Sequence, residues 1–235
     1  MEPAWRQAAS RPLVWHADPC VDDRTVARLL ELSNASSPAH PPTYEGSARV
    51  HAILEQGDPA AAAVRRLLAR RTALPLANFE PLFVLEYVAG HRCGLGQAMP
   101  HFDWNCGGKG DPTTDPTDGA PACPQLRLVT SLVYLNTVPA GWGGGTRLPR
   151  AGVRADARKG ACFLWFNARQ HGGRLRKEER AQHQGECVRA PQNASHAAVD
   201  ARVRKFVLVQ WIRASALEEA GDELCDEDPD SCVMA

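Results

Sequence analysis

The stretch Pro100-His101-Phe102-Asp103-Trp104 decides how this 235-residue sequence is interpreted. In a β-strand, side chains two residues apart point to the same face, so His101 and Asp103 would project together, away from the two aromatic residues. One imidazole nitrogen, one carboxylate oxygen and a second histidine from elsewhere in the chain form the facial triad that binds Fe(II) and leaves coordination positions open. Because a His-x-Asp tripeptide is common by chance, the hypothesis depends on the rest of the chain.

The composition is that of a globular protein with one core. Hydrophobic residues make up 44% of the chain and charged residues 23%, which is ordinary for a single domain of this length. Lys plus Arg and Asp plus Glu number 27 each, so we expect no nucleic-acid partner. No apolar run is long enough for a membrane segment, and the sequence does not begin as a signal peptide does, which predicts a cytoplasmic protein. The alternative is the ER lumen, if a targeting segment is missing from this sequence.

The eight cysteines do not have the C-x-x-C or C-x-x-H spacing of a zinc site. We expect reduced thiols or, with a missing targeting segment, a few disulfides. Cys106 and Cys123 are then the most plausible pair, because they bracket a loop.

The first part of the sequence predicts two helices that support the fold. Residues 1–18 show no clear period and are predicted to be a loose lead-in. An amphipathic helix over 24–32 follows an aspartate cap. A second helix starts with Asp58 as its cap and Pro59 in its first turn, and runs to about residue 71.

The remainder is predicted to be mainly strands in a domain spanning residues 19–213. Alternation with period two predicts strands at 82–88, 127–136, 161–166 and 204–213, in addition to the His101 stretch. Residues 105–125 hold four prolines and four glycines and are interpreted as a lid over the site or as an idle surface insertion. Residues 167–190 are expected to be irregular, and 214–235 a solvated acidic tail. Two helices followed by short strands with Gly/Pro turns favour an α+β, mainly β fold built as a helix-buttressed double-sheet roll.

Lys205 is the most informative charge in the predicted strands. It shares a face with Val207, Val209 and Trp211, so that face cannot be solvated without exposing a tryptophan. A buried ammonium group without an anion costs several kcal/mol, and the carboxylate of a bound ligand would supply that anion. The alternative is that Lys205 extends to solvent from a strand edge.

Two histidines compete for the third metal position. His196 lies nine residues before Lys205, and a short hairpin between them would bring both to one pocket. His183 begins another plausible strand but is 22 residues from the lysine. The spacing favours His196 and leaves His183 as the alternative.

Further motifs follow the His-x-Asp pair in order along the chain. They are Tyr134-Leu135-Asn136, Gly144-Gly145-Thr146-Arg147-Leu148-Pro149, Lys159-Gly160, His196, Lys205 and Trp211-Ile212-Arg213. Together they resemble the Fe(II)/2-oxoglutarate dioxygenases of the prolyl 4-hydroxylase family over about residues 20 to 213. The segments between Tyr87 and His101 and between Lys159 and His196 are longer than this family usually has.

The resemblance implies a fold, a cofactor set and a role for each site residue. The fold would be a double-stranded β-helix, or jelly roll. Iron would be held by His101, Asp103 and His196, although the family's pattern around the third ligand is better matched near His183. Lys205 and Tyr134 would bind the distal carboxylate of 2-oxoglutarate, and the same pocket would include Tyr87 and Trp211.

The implied reaction uses Fe(II), 2-oxoglutarate and dioxygen, with ascorbate as reductant, to hydroxylate proline in a peptide or protein. Two alternatives stay open from the sequence. One is 2-oxoglutarate oxygenation of another amino acid, a small molecule or a nucleobase. The other is a binding module that keeps the roll without catalysis. The oligomeric state is not predicted.

Overall fold

The computed structural model describes residues 2–35, 48–55, 57–89, 99–104, 126–171, 174–191 and 203–215. The predicted lid at 105–125, the hairpin with His196, the Cys106–Cys123 pair and nearly all of the acidic tail lie outside these ranges.

Two α-helices and twelve strands make up most of the regular structure of the described residues. The helices are α1 (Asp23–Ala35) and α2 (Pro59–Thr72). The strands are β1 (Arg6–Ser10), β2 (Leu13–Ala17), β3 (Ala48–Leu54), β4 (Leu82–Val88), β5 (Arg127–Tyr134), β6 (Thr146–Leu148), β7 (Val153–Ala155), β8 (Cys162–Phe166), β9 (Ala168–His171), β10 (Arg174–Lys177), β11 (Gln184–Gly185) and β12 (Arg204–Arg213).

Two antiparallel sheets enclose the core. Within the described ranges, the larger sheet has seven strands in the order β1-β2-β8-β5-β12-β4-β3, and the smaller sheet has the order β11-β6-β7. Strand β12 lies in the interior of the larger sheet, paired with β4 on one side and β5 on the other. A further pair, β9 and β10, forms a separate hairpin.

Alternation along the central strands separates two layers of packing. In β5, Leu132 and Tyr134 point between the two sheets, whereas Val129 and Val133 pack on the opposite face with residues of α1 and α2. Because successive side chains of a strand point to opposite faces, each central strand supplies both layers. Two facing sheets with helices outside the larger one confirm the predicted α+β, mainly β jelly roll.

The helices and the four long strands lie close to their predicted positions. Asp58 caps α2 by accepting a hydrogen bond from the backbone N–H of Ala60, and Pro59 occupies the first turn. Strands β4, β5, β8 and β12 confirm the strands read from period-two alternation. Neither helix of the described residues is long and apolar enough to cross a lipid bilayer.

Three local expectations were wrong. Residues 6–17, expected in the lead-in, form β1 and β2, which join the larger sheet through β8. Part of the segment 167–190, expected to be irregular, forms β9, β10 and β11. Residues 101–104 form no continuous strand, and their only β pairing is an isolated bridge at His101. The bridge at His101 and the pairings of β2 with β8 and of β11 with β6 depend on partners distant in sequence, which a local pattern does not reveal.

The cysteine expectations did not include one disulfide that the structure contains. Cys20, just before α1, is joined by a disulfide to Cys162 in β8, with 5.7 Å between their Cα atoms. The bond ties the N-terminal segment to a central strand of the larger sheet.

Candidate active site

An isolated β-bridge brings two histidines together between the sheets. The backbone N–H of His101 donates to the carbonyl of His183, and the N–H of His183 donates to the carbonyl of His101, both at 2.9 Å. Their ring centroids lie 4.2 Å apart. The structure therefore pairs His101 with His183, the alternative third ligand of the sequence prediction, while His196 lies outside the described residues.

His101, Asp103 and His183 form a cluster that could hold a metal ion. One ligand atom from each side chain lies within 4.8 Å of the others. Nδ1 of His101 lies 2.8 Å from the carbonyl of Met99, and Nδ1 of His183 lies 3.1 Å from the carbonyl of Ala181. Hydrogen bonds to these carbonyls place the proton on Nδ1, so each Nε2 is left with a lone pair for a metal.

The environment keeps the His101 imidazole neutral, as a metal ligand must be. Burial lowers the pKa of His101, and the neighbouring His183 lowers it further, against the opposing effect of Asp103. Nε2 of His101 is buried and has no hydrogen-bond partner in the described part of the chain.

Asp103 is held by hydrogen bonds to one of its two oxygens. Oδ2 accepts a bond of 2.7 Å from the Thr130 hydroxyl and one of 3.0 Å from Nε1–H of Trp211. Oδ2 also lies 3.3 Å from Nε2 of His183, and Oδ1 lies 4.0 Å from Nε2 of His101. Burial opposes ionisation of Asp103, but a positive charge on the neighbouring histidines would outweigh it, and the Thr130 hydroxyl also favours the carboxylate, so the pKa of Asp103 lies below its ordinary range.

Lys205 lies in the same cavity, on strand β12. The side chain is 1% exposed, and burial lowers its pKa to about 7. Nζ lies 3.5 Å from the carbonyl oxygen of Gly145, and no carboxylate in the described ranges forms an ion pair with it. Glu186 opposes the shift, but its two oxygens accept bonds of 2.8 Å from Arg154.

Two tyrosines and a threonine surround the lysine. Nζ of Lys205 lies 4.3 Å from the ring centroid of Tyr87 and 5.5 Å from that of Tyr134. The buried hydroxyl groups of Tyr134 and Thr146 have no hydrogen-bond partner of ordinary geometry among the described residues. Burial raises the pKa of Tyr134, and this effect outweighs the opposing one of Thr146. The phenol therefore stays protonated and can donate a hydrogen bond.

One narrow cavity connects these groups. Its lining includes the metal-ligand cluster, the lysine, and the aromatic, polar and small residues around them: Tyr87, His101, Asp103, Thr130, Thr146, Trp165, His183, Gly185, Lys205 and Trp211. Gly185 leaves space for Tyr87, because a Cβ atom at this position would lie 2.8 Å from the tyrosine hydroxyl. Tyr134 adjoins this cavity through its ring contact with Lys205.

Five residues that the sequence predicted to share one site lie around this cavity: Tyr87, His101, Asp103, Lys205 and Trp211. The contacts of Thr130 and Thr146 were not foreseen. Thr130 is an inward-facing position of a predicted strand, and Thr146 follows the Gly144-Gly145 turn. Both signals locate a residue near the core but do not reveal what its hydroxyl contacts.

Solved structures that are similar to this chain include prolyl hydroxylases. A viral collagen prolyl hydroxylase from Paramecium bursaria Chlorella virus-1, in its 2-oxoglutarate (2OG) complex, is 20% identical, with a TM-score of 0.59 over 86% of this chain and 96% of that chain. A truncated form of the viral protein is 17% identical, with a TM-score of 0.58 over 91% and 94%. A prolyl-4-hydroxylase from Pseudomonas putida is 15% identical, with a TM-score of 0.45 over 90% and 92%.

The sequence itself gives no such match. No protein-family model matches the chain, and no curated protein matches it in sequence. The likeness to the viral enzyme is one of structure, because the two sequences are only 17–20% identical, and it establishes the fold.

Proposed function

We propose that this protein is an Fe(II)- and 2-oxoglutarate-dependent dioxygenase that hydroxylates proline in peptides or proteins. One observation carries the proposal. A single cavity contains both a His-Asp-His cluster suited to a metal and a buried lysine that no carboxylate of the described residues neutralises. A dicarboxylate that binds the metal at one end and the lysine at the other would satisfy both.

The donor set fits Fe(II). Two imidazole nitrogens and one carboxylate oxygen are the facial triad of non-haem Fe(II) oxygenases. We assign His101, Asp103 and His183 as the ligands, because their ligand atoms lie within 4.8 Å of one another and the orphaned Nε2 of His101 points to an absent partner. This proposal replaces His196, which the spacing to Lys205 favoured.

The lysine end fits the distal carboxylate of 2-oxoglutarate. A charged lysine in a dry site needs an anion, and Glu186 is already engaged by Arg154. Lys205 would form a charge-assisted hydrogen bond with the cosubstrate, and the hydroxyl groups of Tyr134 and Thr146 would donate to the same carboxylate.

The protein residues contribute binding, orientation and the exclusion of water. When bound, Fe(II) supplies the oxidative decarboxylation of 2-oxoglutarate by dioxygen that is coupled to insertion of one oxygen atom into a substrate C–H bond, with ascorbate as the reductant that keeps the metal ferrous. Lys205 fixes the far end of the cosubstrate, and the apolar lining supplied by Leu85, Leu132 and Val209 keeps the cavity dry.

Two observations support proline as the substrate class. The ordered motifs resemble the prolyl 4-hydroxylase family, and the fold matches a collagen prolyl hydroxylase over nearly its whole length. Another 2-oxoglutarate oxygenation, of a different residue or a small molecule, uses the same residues and is the second candidate.

We also propose that the protein works in an oxidising compartment. Disulfides persist in secreted and ER-resident proteins and are rare in cytosolic ones, and Cys20 is bonded to Cys162. The disulfide therefore favours the ER lumen, the alternative to the cytoplasmic expectation.

A coupled assay tests the reaction. The protein is incubated with Fe(II), 2-oxoglutarate, ascorbate and a library of proline-rich peptides, and mass spectrometry follows succinate and oxygen added to peptides. We expect the peptides to raise succinate formation above the rate measured without peptide. Each additional succinate should be matched by one oxygen atom added to proline. A Lys205→Met variant at the same 2-oxoglutarate concentration is the matched control.

The outcomes separate the two candidates. Succinate formation that no proline peptide stimulates would favour the second candidate over proline hydroxylation. A protein that forms no succinate and binds no 2-oxoglutarate in the presence of metal would contradict the dioxygenase assignment.

A further inference from the structure

A chain of buried hydrogen bonds ends on the carboxylate of Asp103. We infer that Thr130 and Asn167 are positioning residues that reserve Oδ2 of Asp103 for hydrogen bonding and leave Oδ1 for the metal. The inference rests on the proposed function, because it assigns these residues a task in the same metal site.

This series of hydrogen bonds begins at a tryptophan and passes through two further side chains before it reaches Asp103. Nε1–H of Trp165 donates to Oδ1 of Asn167 at 3.0 Å. Nδ2–H of Asn167 donates to the Thr130 hydroxyl oxygen at 2.8 Å, and the Thr130 hydroxyl donates to Oδ2 of Asp103 at 2.7 Å. None of the four residues is more than 8% exposed, so water does not compete for these bonds.

Because the indole group at one end can only donate and the carboxylate at the other end can only accept, the hydrogen bonds between them can have only one direction. An indole nitrogen can only donate, so it must meet the amide oxygen of Asn167, and the amide nitrogen must then face Thr130. A hydroxyl group has a single proton. Because Thr130 already accepts from Asn167, its proton is free to point to the ionised carboxylate of Asp103, which can only accept.

The arrangement distinguishes the two oxygens of Asp103. Oδ2 accepts from Thr130 and, at 3.0 Å, from Nε1–H of Trp211, whereas neither donor contacts Oδ1. A carboxylate held in this way would bind a metal through Oδ1 alone, which leaves coordination positions for a bidentate cosubstrate and for dioxygen. Asn167 touches no ligand atom and would act only through the Thr130 hydroxyl.

Binding of Co(II), a spectroscopic substitute for Fe(II), tests the inference without turnover. Full-length protein is titrated anaerobically with Co(II) alone, and the visible d–d absorption gives the Kd and a signature of the coordination geometry. Removing a residue that hydrogen-bonds to a metal ligand without itself binding the metal weakens metal binding by about 10–100-fold. We expect a loss of this size, with an altered spectrum, in Thr130→Val, and near-normal binding in Thr130→Ser, which keeps the hydroxyl group.

A matched control removes a different buried hydroxyl group from the same strand. Ser131 neighbours Thr130 in β5, is 1% exposed and makes no hydrogen bond to Asp103. Ser131→Ala should therefore bind Co(II) as the wild type does. A loss shared by Ser131→Ala and Thr130→Val would indicate general damage to the strand and overturn the inference.

A double-mutant cycle tests Asn167. Asn167→Leu should weaken Co(II) binding in the wild-type background and have no further effect in Thr130→Val, because it acts through the missing hydroxyl. Equal losses in both backgrounds would contradict the chain of hydrogen bonds.

The wild-type titration separates this inference from the proposed function. If wild-type protein binds no Co(II), the metal site itself is wrong, and the inference fails with it. If the wild type binds Co(II) and Thr130→Val binds it with the same Kd and spectrum, only the inference is overturned.

Discussion

The two ends of the cavity differ in how far the described residues already hold their polar groups. At the metal-ligand end, both histidines contact backbone carbonyls through Nδ1, and Asp103 accepts bonds from Thr130 and Trp211. At the lysine end, no carboxylate in the described ranges pairs with Lys205, and the hydroxyl group of Tyr134 has no partner there.

The contrast indicates what each end does. Buried polar groups are normally satisfied within the protein, so an unsatisfied group needs an explanation. Groups that the protein satisfies are held still and can position a metal before any substrate arrives. Groups that it leaves unsatisfied retain their hydrogen-bonding capacity for a molecule from solution. The metal-ligand end is therefore preorganised, and the lysine end is complementary to a cosubstrate.

Removal of the carboxylate should have the largest effect. In Asp103→Ala, the only anionic ligand is lost, so turnover should fall to background while the jelly roll stays folded. Succinate formation and circular dichroism measure the two properties. Wild-type turnover in this variant would show that Asp103 is not in the metal site.

Replacement of each candidate histidine should identify the third ligand. His183→Ala removes a side chain that contacts both His101 and Asp103, so Co(II) binding should weaken by more than the roughly 100-fold expected for an outer partner. His196→Ala is the matched control and should change the Kd little. The reverse ranking in the same titration would return the assignment to His196.

Loss of the lysine charge should act on the cosubstrate and spare the metal. Truncating one partner of a buried charge pair costs about 3 kcal/mol, on the order of 100-fold in affinity. Lys205→Met should raise the apparent KM for 2-oxoglutarate by this factor, with the Kd for Co(II) near that of the wild type. An unchanged KM would remove Lys205 from the cosubstrate site.

Cosubstrate binding should also depend on pH. Burial lowers the pKa of Lys205 to about 7 in the free protein, and pairing with a carboxylate would raise it. Affinity should therefore be constant below pH 7 and fall by about tenfold per pH unit above it, since binding then takes up a proton. Calorimetric titration of the Co(II)-loaded protein without oxygen measures the slope.

A conservative variant supplies the control for this pH dependence. Lys205→Arg carries a guanidinium group that stays charged across this range, so its 2-oxoglutarate affinity should be much less sensitive to pH. The same slope in wild type and Lys205→Arg would assign the titration to another group.

The sequence predicted the parts of the site that depend on local alternation. Lys205 alternates with apolar neighbours in a strand, so its inward position follows from period two, whereas His101 and Asp103 were selected by their His-x-Asp spacing although residues 101–104 form no continuous strand. The helix-buttressed double-sheet roll follows from the same strands and the two capped helices, whereas the jelly roll was implied by the resemblance to the prolyl 4-hydroxylase family. These predictions needed no knowledge of which strands pair.

What depends on distant pairing was not predictable in the same way. His183 meets His101 through two backbone hydrogen bonds between segments far apart in the sequence, whereas the prediction used spacing along the chain to Lys205. The hydrogen bonds that join Trp165, Asn167 and Thr130 depend on side-chain direction in three dimensions. Strand β2 likewise pairs with β8, which is distant in sequence, and β1 joins the sheet through β2.

The bridge between His101 and His183 has a consequence for backbone opening. Two hydrogen bonds of 2.9 Å hold the two segments together there, and the side chains beyond them are the proposed ligands. A bound metal would link the same segments a second time, so opening of the bridge would require the metal to leave. Amide hydrogen exchange at His101 and His183 should therefore slow when Co(II) binds, whereas amides in the paired centre of β12 should exchange at an unchanged rate.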